Sequence, residues 1–160
     1  SIATTLLPVA IRDVLKANAH LRLEIRDLDS RAIVREILEE GIDLGIATSG
    51  NARQGIAIEH LFEDRFEAVL PSSHVLARRA ALNLQDLRAE TFIGNGLCDL
   101  IETAEIQELM SASTLFVHST ASLLAMVREG VGVSILPKTA ARQSRGGVTF
   151  VPIEGADEEE

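Results

Sequence analysis

Residues 39–47 read EEGIDLGIA, and residues 128–137 return to nearly the same phrase as REGVGVSILP. In each copy a charged helix end reaches a glycine and then passes directly into an apolar strand. Glycine is the usual residue at a left-handed helix C-cap, so Gly41 and Gly130 are predicted to end two helices. The copies differ two residues after that glycine, where Asp43 of the first copy corresponds to Gly132 of the second.

Each phrase closes a predicted strand–helix–strand unit. In the first unit, residues 21–26 alternate like a strand, Ser30 caps a helix, and residues 42–47 form the next strand. In the second unit, strand 114–118 leads to a helix capped by Ser119 or Thr120, and strand 133–136 follows. Helices between apolar strands are typical of parallel-rich sheets covered on both faces. Two such units in 160 residues predict an α/β protein of two small lobes.

Composition excludes several classes of partner. The net charge is −9 and the basic residues form no stripe, which argues against direct nucleic-acid binding by this chain. The absence of Trp and Tyr leaves no aromatic platform on which single-stranded bases could stack. No apolar run approaches the roughly 20 residues of a membrane helix. The first residues read as part of a strand, so we expect a further segment to precede them.

No catalytic motif is present in the sequence. It contains no HExxH, GxSxG, P-loop or paired CxxC, and the four histidines are scattered without metal-ligand spacing. We therefore predict that the chain is not an enzyme and holds neither a metal nor a cofactor. One cysteine excludes an internal disulfide and fits a reducing cytoplasm.

That cysteine, Cys98, has two interpretations. It follows the GNG turn at residues 94–96 and begins a helix predicted over residues 99–110, where the helix dipole would favour a reactive thiolate. A lone cysteine is also commonly a small apolar filler of the core. Both interpretations, redox sensing and packing, stay open at this point.

Polar residues cluster at the predicted C-terminal ends of strands. Ser30, Thr48, the GNG turn and Ser119 or Thr120 all follow strands or begin helices there. Open α/β sheets bind ligands beyond these strand ends, and helix N-termini offer free N–H groups to a small anion. Each serine alone is explained by helix capping. Together they favour a small-molecule cleft that suits a carboxylate.

Four phrases in order carry a resemblance to a known family. They are LLP at 6–8, EEGIDLGIA at 39–47, FEAVLPSSHVLA at 66–77 and MVREGVGVSILP at 126–137. Their order and spacing resemble the effector-binding domain of LysR-type transcriptional regulators from residue 1 to about residue 153. The resemblance implies a type-two periplasmic-binding-protein fold, in which two Rossmann-like lobes are joined by two crossover strands.

The family pattern also implies where the lobes lie. Residues 1–70 and 148–160 would form the first lobe and residues 71–147 the second, with a C-terminal completion of the first lobe missing from this chain. A winged helix-turn-helix would precede the domain and bind DNA. The family further implies a cytoplasmic homodimer or homotetramer that senses a small organic, anionic effector between its lobes.

Effector contacts can be carried over by position. The residues matching the family's ligand contacts are Ser1, Ser30, Thr48, Asn95, Gly96, Leu97, Ser119 and Thr120. Cys98 falls near the reactive cysteine of peroxide-sensing members, but the second cysteine of those members is absent here. Two alternatives share the fold: a solute-binding protein of a transporter, which would need an export signal, and an enzyme, which would need convergent acid and base groups.

Overall fold

A computed structural model describes residues 6–28, 30–47 and 55–154. The chain divides into two compact units between Glu63 and Asp64. In the first unit, helix α1 spans Leu7–Ala17, with Pro8 in its first turn, and helix α2 spans Ser30–Leu38. Proline suits the first turn of a helix because its missing N–H would have no intrahelical acceptor there.

Helix α2 ends one residue earlier than the sequence predicts. The left-handed residue is Glu40, with φ of 57°, and not Gly41. The N–H of Gly41 donates to the carbonyl of Glu36 at 2.8 Å, and that of Glu40 donates to the carbonyl of Ile37 at 3.1 Å. These two bonds are those of a Schellman motif with Glu40 in the position that glycine prefers. The prediction that Gly41 takes the left-handed position is therefore wrong.

The second copy of the phrase follows the predicted pattern. Gly130 has φ of 76° and donates to the carbonyl of Val127 at 3.0 Å, while Val131 donates to the carbonyl of Met126 at 3.0 Å. The same motif thus ends both helices, but the left-handed residue is glycine in the second copy alone. The prediction for Gly130 is confirmed.

The described part of the first unit contains helices and irregular chain. Residues 21–28, 42–47 and 55–63 form no strand, so the strands predicted at 21–26 and 42–47 are not seen in the described residues. None of the unit's described residues is buried, and apolar side chains such as Leu44 and Leu61 are largely exposed. Alternation alone does not make a strand, because a ladder also requires a hydrogen-bonded neighbour.

The described part of the second unit, residues 64–154, contains five strands and two α-helices. The strands are β1 (Phe66–Pro71), β2 (Ile93–Gly94), β3 (Leu115–Phe116), β4 (Ser134–Pro137) and β5 (Val148–Pro152), and the helices are α3 (Ala104–Ala112) and α4 (Thr120–Arg128). Four 3-10 helices connect them, at Val75–Arg78, Leu84–Ala89, Cys98–Leu100 and Lys138–Gln143. The family-implied lobe boundaries at 70/71 and 147/148 stay a prediction.

Two sheets meet in one short segment of chain. Strand β1 is central in an antiparallel sheet of order β4-β1-β5, and β2 pairs with β3 in parallel. Val133 also bridges Phe92 in parallel, immediately before β4 begins. The chain therefore changes from parallel pairing beside β2 to antiparallel pairing with β1 within a few residues.

The core lies on both faces of β1. Ala68 and Leu70 belong to one buried cluster, and Val69 between them belongs to the other, as the period of two in a strand requires. Helix α4 covers the second cluster with Leu123, Leu124 and Val127, all at most 1% exposed. Within the described ranges no helix is long and apolar enough to cross a membrane.

Gly132 shows why the second copy carries no acid. A Cβ at Gly132 would lie 3.2 Å from the carbonyl carbon of Thr91, closer still to its oxygen, and 3.1 Å from Cγ1 of Ile93. No side chain fits that space, whereas the corresponding Asp43 of the first copy is exposed. The glycine is thus required by the close approach of two backbones.

Candidate functional site

The second-unit residues predicted to contact an effector follow two paired strands. Strands β2 and β3 run in parallel, with Gly94 opposite Phe116, and the N–H of Val117 donates to the carbonyl of Gly94 at 2.9 Å. The C-terminal ends of parallel neighbours lie at the same edge of a sheet. Gly96 and Leu97 therefore emerge at the same edge as the start of α4.

The N-terminus of α4 forms one side of this edge. Ser119 is the N-cap, and its hydroxyl oxygen accepts from the N–H of Ser122 at 3.3 Å. A hydroxyl that accepts one bond keeps its own O–H for donation. The exposed Ser119 and half-buried Thr120 thus present hydroxyl groups beside a helix N-terminus, where the dipole favours negative charge.

Asn95 points inward instead of toward this edge. It is 4% exposed. Its Nδ2 donates to the hydroxyl oxygen of Ser134 and the carbonyl of Ile135, both at 3.0 Å, and lies 3.3 Å from the sulfur of Cys98. Its Oδ1 accepts from the N–H of Leu97 at 3.0 Å. Both ends of the carboxamide are therefore engaged within the unit, and effector contact by Asn95 stays a prediction.

Ser134 is a site-supporting residue that the sequence reasoning missed. It is fully buried, accepts from Asn95 and donates its own O–H to the carbonyl of Ile93 at 2.6 Å. The available signal was a single hydroxyl within the otherwise apolar strand GVSIL. A buried polar side chain is generally hydrogen-bonded, so its partner could have been sought among the nearby loops.

Cys98 has an environment that differs from the one predicted. It begins a three-residue 3-10 helix, and α3 starts only at Ala104, after Thr103 in extended conformation. The predicted helix over 99–110 is therefore present from Ala104 but not over residues 99–103, and Cys98 does not lie at the N-terminus of an α-helix. Cys98 is fully buried, and that burial raises its pKa to about 12. The raised pKa favours the thiol over the reactive thiolate, and the redox role of Cys98 stays a prediction.

A groove of about 380 Å³ lies behind the Cys98 segment. Its lining residues are Cys98, Asp99, Ile101, Glu102, Ile106, Gln107 and Met110. Two exposed carboxylates, Asp99 and Glu102, border it, so it disfavours an anion. We therefore place the candidate effector site at the edge formed by β2, β3 and α4 and not in this groove.

The first-unit candidates are described only in part. Ser30 begins α2 and is half-buried. Ser1 and Thr48 lie outside the described residues, and their effector contacts stay predictions. Within the part of the chain that the structure describes, no group of three or more His, Cys, Asp or Glu side chains could hold a metal ion.

Comparison with known proteins identifies the family. The family model described as the LysR substrate binding domain matches residues 1–158. The Transcriptional activator protein LysR of Escherichia coli (strain K12) is 27% identical over 151 residues, which cover 89% of this chain and 48% of that protein. The chain spans about half the length of the curated relatives it matches.

Solved structures show the same fold. The BenM effector binding domain with its effector benzoate has a TM-score of 0.79 at 21% identity, over 98% of this chain and 74% of that one. The effector binding domain of QuiR in complex with shikimate has a TM-score of 0.73 at 17% identity, over 99% and 78%. These likenesses confirm the predicted type-two periplasmic-binding-protein fold. The chain belongs to the LysR substrate binding domain family.

Proposed function

We propose that this chain is the effector-sensing domain of a LysR-type transcriptional regulator and that its ligand is a small organic anion. The observation that carries the proposal is the shared edge of β2, β3 and α4, where exposed Gly96 and Ser119 flank a helix N-terminus. Free N–H groups and a positive dipole end suit a carboxylate. The two relatives described above hold benzoate and shikimate, both of which carry a carboxylate.

The family resemblance adds further residues to the proposed site. We propose that Ser1, Ser30 and Thr48 contact the ligand as well as Gly96, Leu97, Ser119 and Thr120. An effector that binds two arrangements of the lobes with different affinities shifts the balance between them. In the whole protein this shift would act through a homodimer or homotetramer on an N-terminal winged helix-turn-helix that binds DNA in the cytoplasm.

The relatives of this chain favour a regulator over the alternatives. LysR is a transcriptional activator, and the BenM and QuiR chains are effector binding domains. Nothing in the described residues favours a solute-binding protein, an enzyme or a cysteine-based sensor. The residues that precede Ser1 in the intact protein would distinguish the first alternative, because a transporter component needs an export signal.

A carboxylate screen tests the proposal directly. Isothermal calorimetry begins with benzoate and shikimate and extends to other small carboxylates. For a compound that binds, we expect Ser30→Ala, Thr48→Ala and Ser119→Ala each to weaken affinity about 5- to 50-fold, since each removes a hydrogen bond to a charged group. Ser111→Ala, on an exposed residue at the end of α3, is the matched control and should leave affinity unchanged. Affinity that survives all three site changes would contradict the placement.

A further inference from the structure

We propose that Asn95 is a positioning residue: its buried carboxamide holds Gly96 and Leu97 at the candidate site, and its release opens residues 95–100 as a local unit that exposes Cys98. The part of this inference that concerns the effector rests on the function proposed above. The part that concerns loop opening stands on the second unit alone.

The contacts of Asn95 join a loop to a strand that is distant in sequence. Its carboxamide has two N–H donors, and the two acceptors at 3.0 Å, on Ser134 and Ile135, lie at the start of β4. Ser134 passes the connection on to the carbonyl of Ile93 in β2. We call the set Asn95, Ser134, Ile135 and Cys98 the Asn95 network. It ties the end of β2 to β4 through side chains in the interior.

The same carboxamide shapes the exposed part of the loop. Its Oδ1 accepts from the N–H of Leu97 at 3.0 Å, and its backbone carbonyl accepts from the N–H of Cys98 at 3.1 Å. Asparagine commonly stabilises a turn in this way, by bonding the backbone two residues on. Gly96 stands at the tip of this turn, exposed, with nothing within 4 Å of the position that a Cβ would take. The orientation of the tip therefore depends on Asn95.

The elements on either side of the Asn95 turn are short. Strand β2 has only two residues, and the 3-10 helix that follows the turn has three. Leu97 packs on one hydrophobic cluster and Cys98 on the other, and the groove of about 380 Å³ lies behind Cys98. Short elements can open locally at a lower free energy than the whole domain unfolds. Loss of the Asn95 network should therefore release residues 95–100 before the rest of the unit.

The single cysteine of the chain provides a direct assay of this opening. Because Cys98 is fully buried, Ellman's reagent can label it only after the segment opens. Labelling rates of the 160-residue chain at pH 8 without denaturant are compared with global unfolding constants from urea titrations followed by circular dichroism. We expect Asn95→Ala to raise the labelling rate at least about tenfold more than it raises the global unfolding constant. Ser134→Ala, which leaves the Ile135 acceptor, should give a smaller increase and serves if Asn95→Ala does not fold.

Two controls separate local from global effects. Asn83→Ala removes a carboxamide oxygen that accepts from the N–H of Asp86 at 2.9 Å, at the N-cap of the 3-10 helix Leu84–Ala89 and outside the Asn95 network. Val151→Ala removes methyl groups from the core beside β1. In both controls labelling should rise only by the factor by which global unfolding rises. The inference is overturned if Asn95→Ala and Ser134→Ala follow the controls.

The effector arm uses benzoate and shikimate as probes. A probe that binds the candidate site should slow labelling of Cys98 in the wild-type chain, and it should bind Asn95→Ala at least about tenfold more weakly than Val151→Ala. Equal affinities in these two variants would overturn the positioning role. If neither probe nor any other carboxylate binds the wild-type chain, the proposed function fails, while the labelling rates still decide whether Asn95 holds the loop.

Discussion

Replacing Gly132 by alanine tests the close backbone packing beside β2. The new Cβ would lie 3.2 Å from the carbonyl carbon of Thr91 and 3.1 Å from Cγ1 of Ile93, so the chain would have to move away from β2. That movement strains two hydrogen bonds, from Ile93 to the carbonyl of Val133 at 2.8 Å and from Val133 to the carbonyl of Thr91 at 2.9 Å.

The magnitude follows from these contacts. Two strained backbone hydrogen bonds cost about 1 kcal/mol each. Overpacking against Ile93 adds about 1–3 kcal/mol. Alanine also lowers the conformational entropy of the unfolded chain, which offsets about 0.4–1 kcal/mol of this cost. This gain applies because Gly132 does not have a positive φ, so its backbone conformation is open to alanine. We expect Gly132→Ala to lower the free energy of unfolding by about 2–4 kcal/mol and, for a chain of 160 residues, the melting temperature by about 4–16 °C.

Urea titration followed by circular dichroism at 222 nm measures this change, since the chain has no Trp or Tyr to report by fluorescence. Gly96→Ala is the matched control, because nothing lies within 4 Å of its Cβ position, and it should stay within about 0.5 kcal/mol of wild type. Equal stability of the two variants would refute the argument from steric contact.

Two further predictions concern stability. Glu40→Gly should raise the free energy of unfolding by about 0.5–1 kcal/mol, because it removes a left-handed non-glycine residue, and Gly130→Ala should lower it by about 1 kcal/mol. Urea titration of both variants checks the signs, and the same sign for both would contradict the cap assignment. Cys98 also makes the stability depend on pH. The thiol of the unfolded chain loses its proton near pH 8.5, whereas the pKa of Cys98 in the folded chain is about 12. The free energy of unfolding should therefore fall by up to about 1.4 kcal/mol per pH unit as the pH rises above 9. Cys98→Ala should flatten this dependence of the free energy of unfolding on pH, measured by urea titrations between pH 8 and pH 10. Other side chains that titrate in this range add little, because the chain has two lysines and no tyrosine. An unchanged slope would rule out the thiol as its cause.

The parts of the fold that local chemistry determines were predicted correctly. Helix α4 begins at the predicted cap Ser119 and ends at the predicted Gly130. Strand β4, at Ser134–Pro137, falls on the strand predicted over residues 133–136. Caps, turns and apolar runs act over a few residues, so one sequence contains all the information that they need.

Features that depend on distant partners were not predictable in this way. Asn95 turns inward because Ser134 and Ile135 provide hydrogen-bond acceptors about forty residues later in the chain. The local sequence GNG does not indicate these distant partners. The helix predicted over 99–110 is interrupted because Thr103 adopts an extended conformation and caps α3 by accepting from the N–H of Ile106. The left-handed residue at the end of α2 is Glu40 and not Gly41, a difference of one residue. Sequence patterns do not locate helix ends to better than one or two residues.

The burial of Asn95 also affects the rate at which this protein deamidates. Asn95 and Gly96 are the chain's one Asn-Gly pair, the dipeptide that most readily loses ammonia when the glycine nitrogen attacks the side-chain carbonyl carbon. Here the carboxamide is held at Nδ2 by Ser134 and at Oδ1 by Leu97, so its carbon cannot swing onto the nitrogen of Gly96. Peptide mapping after prolonged incubation should find isoaspartate at this position in urea but little in buffer. The native fold would then protect the side-chain amide of Asn95 from deamidation.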